Sequence, residues 1–395
     1  MQGSWRSIFV TVLAVFFIAG TSFSQIPKDA MELTFGKGKV VDNYPDFPDL
    51  NSQAYNFSLN FSRHYDGKAP WHRNYNYPRM GISLNSGSMG NKSVLGYYVG
   101  VMSEMTFERR LGEAWFWAPR LSLGGGWFSQ PYDEETNPEN IIIGSQFTFF
   151  AGAEALLGRK ISKQFDVIGK VGILHASNSH FKLPNVGMNL PLVSLGIRYK
   201  LPVNKESETT SVKRDTARLV NPKKIRFHTR VALGVNEFGA STGPVNGPKY
   251  PVYLAGVFVS KMFSPVNKVT AGVEGWYSKG VNDFITSQEF YDEDQTKKSC
   301  SAAITFGHEF LMGHFGLITT LGIYIYNPFY KDKLEANDID GFKDHLKSII
   351  PARLGFQYYL KNTNFTSQNN LFVGVYIKTN FGQADFLESG VGYMF

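Results

Sequence analysis

The feature that most constrains this chain is a strict alternation of apolar and polar residues over long segments. Between 225 and 236 the odd positions are apolar or Thr, whereas the even positions are charged, polar or small, and 314–326 and 371–380 repeat the pattern. Successive side chains of a strand point to opposite faces, so each segment predicts a two-faced strand. Strands of ten residues or more with Arg, Lys and Gly on one face are typical of membrane barrels with a polar lumen. Soluble β-sandwiches also alternate, but their strands are usually about five or six residues long.

The composition agrees with a β-rich protein that exposes apolar surface. Only 18% of the 395 residues are charged, aromatic residues reach 15%, and there are 39 glycines. The net charge of +7 is not gathered into a basic stripe, so we expect no nucleic-acid partner. The only cysteine, Cys300, excludes an internal disulfide, and no Cys/His spacing resembles a zinc site. We therefore expect no zinc site.

The N-terminus has the pattern of an export signal. Arg6 precedes the apolar run 8–19, and the small residues Ser22 and Ser24 predict cleavage after residue 24. Beyond this segment no stretch reaches 18 apolar residues, so no transmembrane helix is expected.

The C-terminus predicts assembly in the outer membrane. Residues 385–395 alternate and end in Phe395, which resembles the C-terminal signature recognised by the barrel assembly machinery. Together these features predict an all-β, transmembrane outer-membrane antiparallel β-barrel. We expect it to span 25–395 with about 14 strands, in a range of roughly 12 to 16.

Short and long connections alternate along the chain, as periplasmic turns and extracellular loops do in such barrels. The short ones are 158–163, 263–267 and 311–313, and the long ones are 128–140, 237–249, 282–297 and 328–347. The charged connection 202–224 breaks the rule, because it is long yet falls on the side of the short turns. We interpret it as an excursion within one barrel, and the alternative is a boundary between two halves. Segment 31–86 alternates poorly, which leaves the strand count open.

Polar residues extend an outward-facing apolar row at one position. In strand 165–177 the odd row is mostly apolar but ends in His175 and Ser177, and in strand 189–201 the odd row begins with Asn189. Residues two apart on a strand share a face, so an imidazole and a hydroxyl there can approach hydrogen-bonding distance, as a serine nucleophile with a histidine base requires. The same parity assigns side chains to lipid (Val171, Ile173, Val193 and Leu195) and to the lumen (Lys170 and Arg198).

The run HASNSHFKLPNVGMN (175–189) resembles the motif of the PagL family of lipid A deacylases. The resemblance implies that His175 is the general base and Ser177 the nucleophile. The family's acidic residue, which orients the imidazole, falls on Asn189, a departure from the pattern. The remaining matches, Asn178, Asn185 and Gly187, are candidates for holding the oxyanion or the substrate. The implied substrate is lipid A of lipopolysaccharide within the outer leaflet, with no cofactor.

The motif-level resemblance covers 94–201, which we expect to carry the site. Other stretches, including 76–85 and 132–145, resemble Bacteroidetes-type outer-membrane proteins called acyloxyacyl hydrolases. The second half, 225–395, has no counterpart in the small eight-stranded PagL barrel, and we expect it to add further barrel strands.

Two further patterns bear on alternative functions. Residues 239–243 match G-x-S-x-G, but that elbow requires a strand-turn-helix context, so we expect a flexible loop. The main alternative function is a non-enzymatic barrel, either a porin-like channel or a structural protein. Its support is a set of predicted lumen cations, namely Arg198, Arg226, Arg230 and Lys378.

Overall fold

The computed structural model describes residues 29–202 and 224–395, apart from 43, 45, 66, 68 and 364–368. The predicted signal peptide, 1–24, and nearly all of the connection 202–224 lie outside the described residues. Every strand pairing in the described part of the chain is antiparallel, as the alternation predicts.

The first half of the chain closes into an eight-stranded barrel, called here the N-terminal barrel. Its strands, with the short side strand β5, are β1 (Ala30–Gly38), β2 (Ala54–His64), β3 (Arg79–Ser88), β4 (Tyr97–Thr106), β5 (Arg109–Leu111), β6 (Trp115–Phe128), β7 (Phe147–Lys160), β8 (Phe165–Ser177) and β9 (Met188–Lys200). Each barrel strand pairs with its neighbour in the chain, except that β4 pairs with β6 across the β5 hairpin, and β1 closes the barrel against β9.

The second half closes into another eight-stranded barrel, the C-terminal barrel. Its strands are β10 (Ile225–Glu237), β11 (Lys249–Ser264), β12 (Asn267–Ser278), β13 (Cys300–Met312), β14 (Phe315–Tyr326), β15 (Pro351–Tyr359), β16 (Asn370–Asn380) and β17 (Gln383–Met394). Strand β17 closes the barrel against β10, and the backbone N–H of Phe395 donates to the carbonyl of Phe227 at 2.9 Å.

The prediction of an all-β outer-membrane-type fold is confirmed, and the sixteen barrel strands fall within the expected range. The prediction that they form one barrel is wrong, because β9 pairs with β1 and β17 pairs with β10. The break falls at 202–224, the boundary considered as the alternative. Segment 31–86, which alternates poorly as a whole, contains β1, β2 and most of β3.

The two faces of each wall differ as the parity predicts. Val171, Ile173, Val193 and Leu195 are exposed on the outer face, with Val193 at 64% and Leu195 at 70%, whereas Lys170 and Arg198 are buried inside. Buried charges are tolerated when they are paired.

Paired charges fill both lumens. In the N-terminal barrel the Arg120 guanidinium donates to both carboxylate oxygens of Glu32 at 3.0 and 2.9 Å. In the C-terminal barrel Arg353 and Arg230 donate to Glu274 at 2.6 and 2.8 Å. Where these ion pairs lie, the lumen of each barrel is filled by paired side chains.

Two of the four predicted long loops contain short helices. The helices of the described chain are α1 (Pro70–Asn74), α2 (Lys279–Ser287), α3 (Gln295–Lys298), α4 (Pro328–Ala336) and α5 (Phe342–Ile349). Within the ranges that the structure describes, none of these helices has the length and apolar character needed to cross a bilayer.

The barrels touch along their outer walls. Phe149 of β7 packs against Val375 and Leu387, which are only 8% and 3% exposed although they lie on the outside of the C-terminal barrel. At the opposite end of the barrels Trp71 and Met105 pack against Val266.

Candidate active site

Strands β8 and β9 bring the predicted residues together at one end of the N-terminal barrel, called here the site end. His175 lies directly opposite Asn189 in the strand register, and Ser177 is the last residue of β8. Residues 178–187, which connect the two strands, form the site loop. His175 and Ser177 continue the outer-face row of Val171 and Ile173, so the predicted parity agrees with the register.

The imidazole of His175 is held by the strand opposite. Its Nδ1 lies 2.9 Å from Oδ1 of Asn189. An amide oxygen can only accept a hydrogen bond, so Nδ1 carries the proton and Nε2 keeps its lone pair. Asn189 thereby fixes the tautomer that a general base needs.

Two donors hold the Ser177 hydroxyl. Its Oγ accepts from Nδ2 of Asn185 at 2.9 Å and from the backbone N–H of Ser179 at 3.2 Å. None of the hydrogen bonds recorded among the described residues joins Ser177 to His175, although both lie at the same end of one strand face. Catalytic hydrogen bonds are often long without substrate and tighten when it binds.

The side chain of Asn178 is used within the site loop. Its Nδ2 donates to the carbonyl of Lys182 at 2.7 Å and to Oγ of Ser145 at 3.2 Å. Its backbone N–H donates to Oδ1 of Asn185 at 3.1 Å. Asn178 therefore shapes the loop, whereas Asn185 reaches the serine.

Gly187 lies against His175 and Ser177. A Cβ at this position would be 3.5 Å from Cε1 of His175 and 3.6 Å from Cβ of Ser177, and the backbone has φ of +80°. The left-handed conformation favours glycine, and the closest atom to such a Cβ is the carbonyl oxygen of Ala176 at 3.3 Å. A larger side chain would extend over the site.

A cleft that sequence reasoning missed opens next to the site loop, and Asn178 lines it, whereas His175 and Ser177 do not. It has a volume of about 850 Å³ and is lined by the segment 129–137, by the start of β7 and by the site loop. Phe149, directly opposite Ser177 in the register, lines it together with Phe147 and Lys182. The apolar parity of Phe147 and Phe149 was the available signal, but it did not reveal a cavity.

The segment 239–243, expected to be a flexible loop, is packed against the site loop. Ser241 is buried, and its Oγ lies 3.2 Å from Nε2 of His180. His180, expected to be an ordinary loop histidine, is buried there as well.

The described residues contain no group of three or more His, Cys, Asp or Glu side chains arranged to hold a metal ion.

Two family models match the chain. Residues 55–198 match the lipid A 3-O-deacylase (PagL), and residues 225–395 match the acyloxyacyl hydrolase, C-terminal domain. The resemblance stated from the motif is thereby confirmed, and the second half is a domain in its own right. The two matches are separated at the connection between the barrels.

Several solved structures are similar to parts of the chain. The outer membrane enzyme PagL is 18% identical with a TM-score of 0.29, over 44% of this chain and 99% of that one. Neisserial surface protein A is 10% identical with a TM-score of 0.29, over 44% and 96%. Outer membrane phospholipase A from Escherichia coli is 11% identical with a TM-score of 0.19, over 93% and 97%. No curated protein sequence matches the chain.

Proposed function

Because the chain belongs to the family of lipid A 3-O-deacylases (PagL) and acyloxyacyl hydrolases, we propose that this outer-membrane protein hydrolyses an acyl ester of lipid A by a serine–histidine mechanism. The observation that carries the proposal is the His175–Asn189 hydrogen bond beside Ser177 on the outer wall of the barrel. Ser177 is itself buried, and the exposed apolar row of β8 below it faces the outer leaflet, where the substrate is anchored.

The first half of the reaction forms an acyl-enzyme. His175 Nε2 takes the proton of Ser177 Oγ as the oxygen attacks the ester carbonyl carbon. The carbonyl oxygen becomes an oxyanion, and we assign the Asn185 amide and the Ser179 N–H as its donors, because both lie beside Oγ and are released from it when Oγ bonds to the carbonyl carbon. Removing one such donor typically lowers the rate about 10²- to 10³-fold. The carbon–oxygen bond of the ester then breaks, and His175 protonates the leaving alkoxide.

The second half releases the acyl group. Water attacks the acyl-enzyme carbonyl while His175 takes its proton, and the bond to Ser177 Oγ then breaks as His175 returns that proton to Oγ, which gives a fatty acid and the free serine. Asn189 keeps the imidazole oriented through both halves. It stabilises the imidazolium less than a carboxylate would, because charge-assisted hydrogen bonds are the stronger ones.

The surroundings suit a lipid substrate. The acyl chain would lie along the exposed apolar row of β8 and β9, so the bilayer would complete its binding site. The sugar headgroup would enter the cleft, where Lys182 supplies a cation for a phosphate and Phe147 an apolar wall. The ion-paired lumens do not favour the channel alternative.

The test is hydrolysis of lipopolysaccharide in detergent micelles, with released fatty acid and lipid A measured by mass spectrometry. Ser177→Ala should abolish release while the barrel still folds. Ser103→Ala is the matched control, because Ser103 is exposed on the outer face of β4 in the same barrel. Full activity of Ser177→Ala would exclude Ser177 as the nucleophile.

A second pair of variants tests Asn189. Asn189→Ala should lower activity less than Ser177→Ala, because the base is misoriented but not removed. Asn189→Glu should raise activity by supplying the carboxylate that the family motif has at this position. A fall in activity for Asn189→Glu, with folding intact, would contradict the orienting role.

A further inference from the structure

The C-terminal barrel holds the site loop through one short segment. This segment, residues 238–248, connects β10 to β11 and is called here the interface loop. Together with Glu237 at the end of β10 and Lys249 at the start of β11, it contacts four residues of the site loop, namely His180, Phe181, Leu183 and Asn185.

Glu237 is the first anchor. It is fully buried, its backbone N–H donates to the carbonyl of His180 at 2.9 Å, and its Oε2 accepts from the N–H of Leu183 at 2.9 Å. Within its own barrel the carboxylate also accepts from Lys249 Nζ at 2.6 Å and from the N–H of Gly247. The carboxylate is thus fixed in the C-terminal barrel and reaches across to the loop.

Ser241 is the second anchor. Its carbonyl accepts from the N–H of Asn185 at 2.7 Å. Its hydroxyl accepts from Gln383 Nε2 at 3.1 Å and lies 3.2 Å from Nε2 of His180. Backbone and side chain of one residue therefore fix two positions of the site loop.

Ser241 is separated from the nucleophile by a single residue, Asn185, in the hydrogen-bond network, whereas Glu237 fixes the neighbouring positions His180 and Leu183 of the same loop. The backbone of Asn185 is bonded to the C-terminal barrel, and its side chain donates to Ser177 Oγ at 2.9 Å. A shift of the interface loop therefore changes where the donor at Ser177 points.

The site loop also has a conformation that needs external support. Ser179 and His180 have φ of 59° and 61°, in the left-handed region that side chains with a Cβ adopt uncommonly. Such residues persist where the surroundings fix them. Here the surroundings that fix His180 belong to the other barrel.

We propose that the C-terminal barrel completes the active site by holding the site loop, with Glu237 and Ser241 as positioning residues for Asn185 and Ser177. This inference rests on the proposed function. It also assigns a role to 225–395, which the motif comparison with the small PagL barrel left without one.

The test compares Glu237→Ala and Glu237→Gln in the full-length protein. Glu237→Ala removes both carboxylate oxygens that accept hydrogen bonds. It should lower kcat about 10- to 100-fold, as misplacement of reacting groups does, with little change in KM. Glu237→Gln keeps one acceptor and should fall between Glu237→Ala and the native protein. Tyr75→Phe is the matched control, because it removes a 3.1 Å hydrogen bond to the carbonyl of Val266 between the barrels at the end away from the site.

Hydrogen exchange of the amides of 178–187 provides a readout that does not depend on activity. Faster exchange there in Glu237→Ala, but not in Tyr75→Phe, together with the kcat loss, supports the proposal. Unchanged exchange or unchanged kcat in Glu237→Ala overturns it, as does an equal kcat loss in Tyr75→Phe.

Failure of the proposed function gives a different result. Full activity of Ser177→Ala would reject that function, while exchange of the site loop in Glu237→Ala would still report whether the C-terminal barrel holds it. A double variant of Glu237→Ala with Asn185→Ala adds a final check. Its kcat loss should be less than the product of the two single losses, because both act on the same donor, and a fully multiplicative loss contradicts the proposed path.

Discussion

Each barrel places a histidine beside a serine, but on opposite sides of the wall. In the N-terminal barrel His175 and Ser177 lie on the outer face at a strand end. In the C-terminal barrel His228 Nε2 is hydrogen-bonded to Ser260 Oγ inside the lumen, where both residues are buried. The inner pair has the closer contact, but it is enclosed by the lumen, whereas Ser177, although also buried, ends the exposed outer row of Val171 and Ile173. Access to the wall, and not proximity of the two groups, is what separates a candidate site from core packing.

The largest expected effect distinguishes His175 from His228. His175→Ala should lower deacylation about 10³-fold or more, as loss of a general base does in serine hydrolases. His228→Ala should leave kcat within a fewfold of the native value, because its partner lies in the lumen. Single-turnover release of fatty acid measures both. Equal losses would show that the lumen of the C-terminal barrel takes part in the reaction.

The next effect tests whether the two outer walls are equivalent. Val193 of β9 and Val257 of β11 are exposed mid-strand positions in different barrels. Replacing either by Arg should lower the free energy of unfolding in bilayers by about 2–4 kcal/mol. Urea unfolding in lipid vesicles measures this, with Val193→Ile and Val257→Ile as controls. A barrel that tolerates the Arg variant does not present that wall to lipid.

A smaller effect concerns pH at the contact between the barrels. Burial lowers the pKa of His180 to about 4, although the carboxylates of Asp385 and Glu237 oppose the shift. An unfolded histidine takes a proton below about pH 6.5, whereas the buried one does not until about pH 4, so stability falls as pH drops through this window. Between pH 6.5 and 5 the free energy of unfolding should fall by about 1.5 kcal/mol.

Thermal unfolding and exchange of the site loop between pH 7 and 4.5 measure this effect. His180→Gln should flatten the dependence, whereas His345→Gln, at an exposed position in α5, should not. Identical pH profiles for His180→Gln and the native protein would mean that another group titrates.

The smallest expected effect separates crowding from backbone strain. Gly187 and Gly112 both have positive φ, +80° and +74°, but a Cβ at 112 meets nothing within 4 Å. Alanine at either position should cost about 1 kcal/mol of backbone energy. Only Gly187→Ala should also lower kcat, by about tenfold, because its Cβ lies against His175 and Ser177. Equal kcat values for the two variants would remove Gly187 from the site.

The sequence predicts individual strands well where alternation is strict. The predicted strand 165–177 coincides with β8, and 225–236 differs from β10 by one residue. Alternation fixes which residues share a face, and this is why the parity of His175, Ser177 and Asn189 agrees with the register. It does not say which strands pair at the ends of a sheet, so one barrel and two barrels produce the same pattern.

The rest of the site depends on contacts between distant parts of the chain. The hydrogen bond from Leu183 to Glu237 joins residues 54 positions apart, and no local pattern marks it. Ser241 drew notice only because it lies in a G-x-S-x-G match, whose usual meaning does not apply. Its place at the barrel contact follows from the closing of two separate sheets, which periodicity cannot encode.

That separate closing gives the molecule the thermodynamics of a tethered pair. Among the described strands none is paired between the barrels, so their contact consists of side chains and loops, as between two associating proteins. Covalent connection replaces a bimolecular association by an intramolecular one with a high effective concentration. An interface too weak to hold two independent barrels together can therefore remain closed in a single chain, and relative movement of the barrels is the expected consequence when it opens.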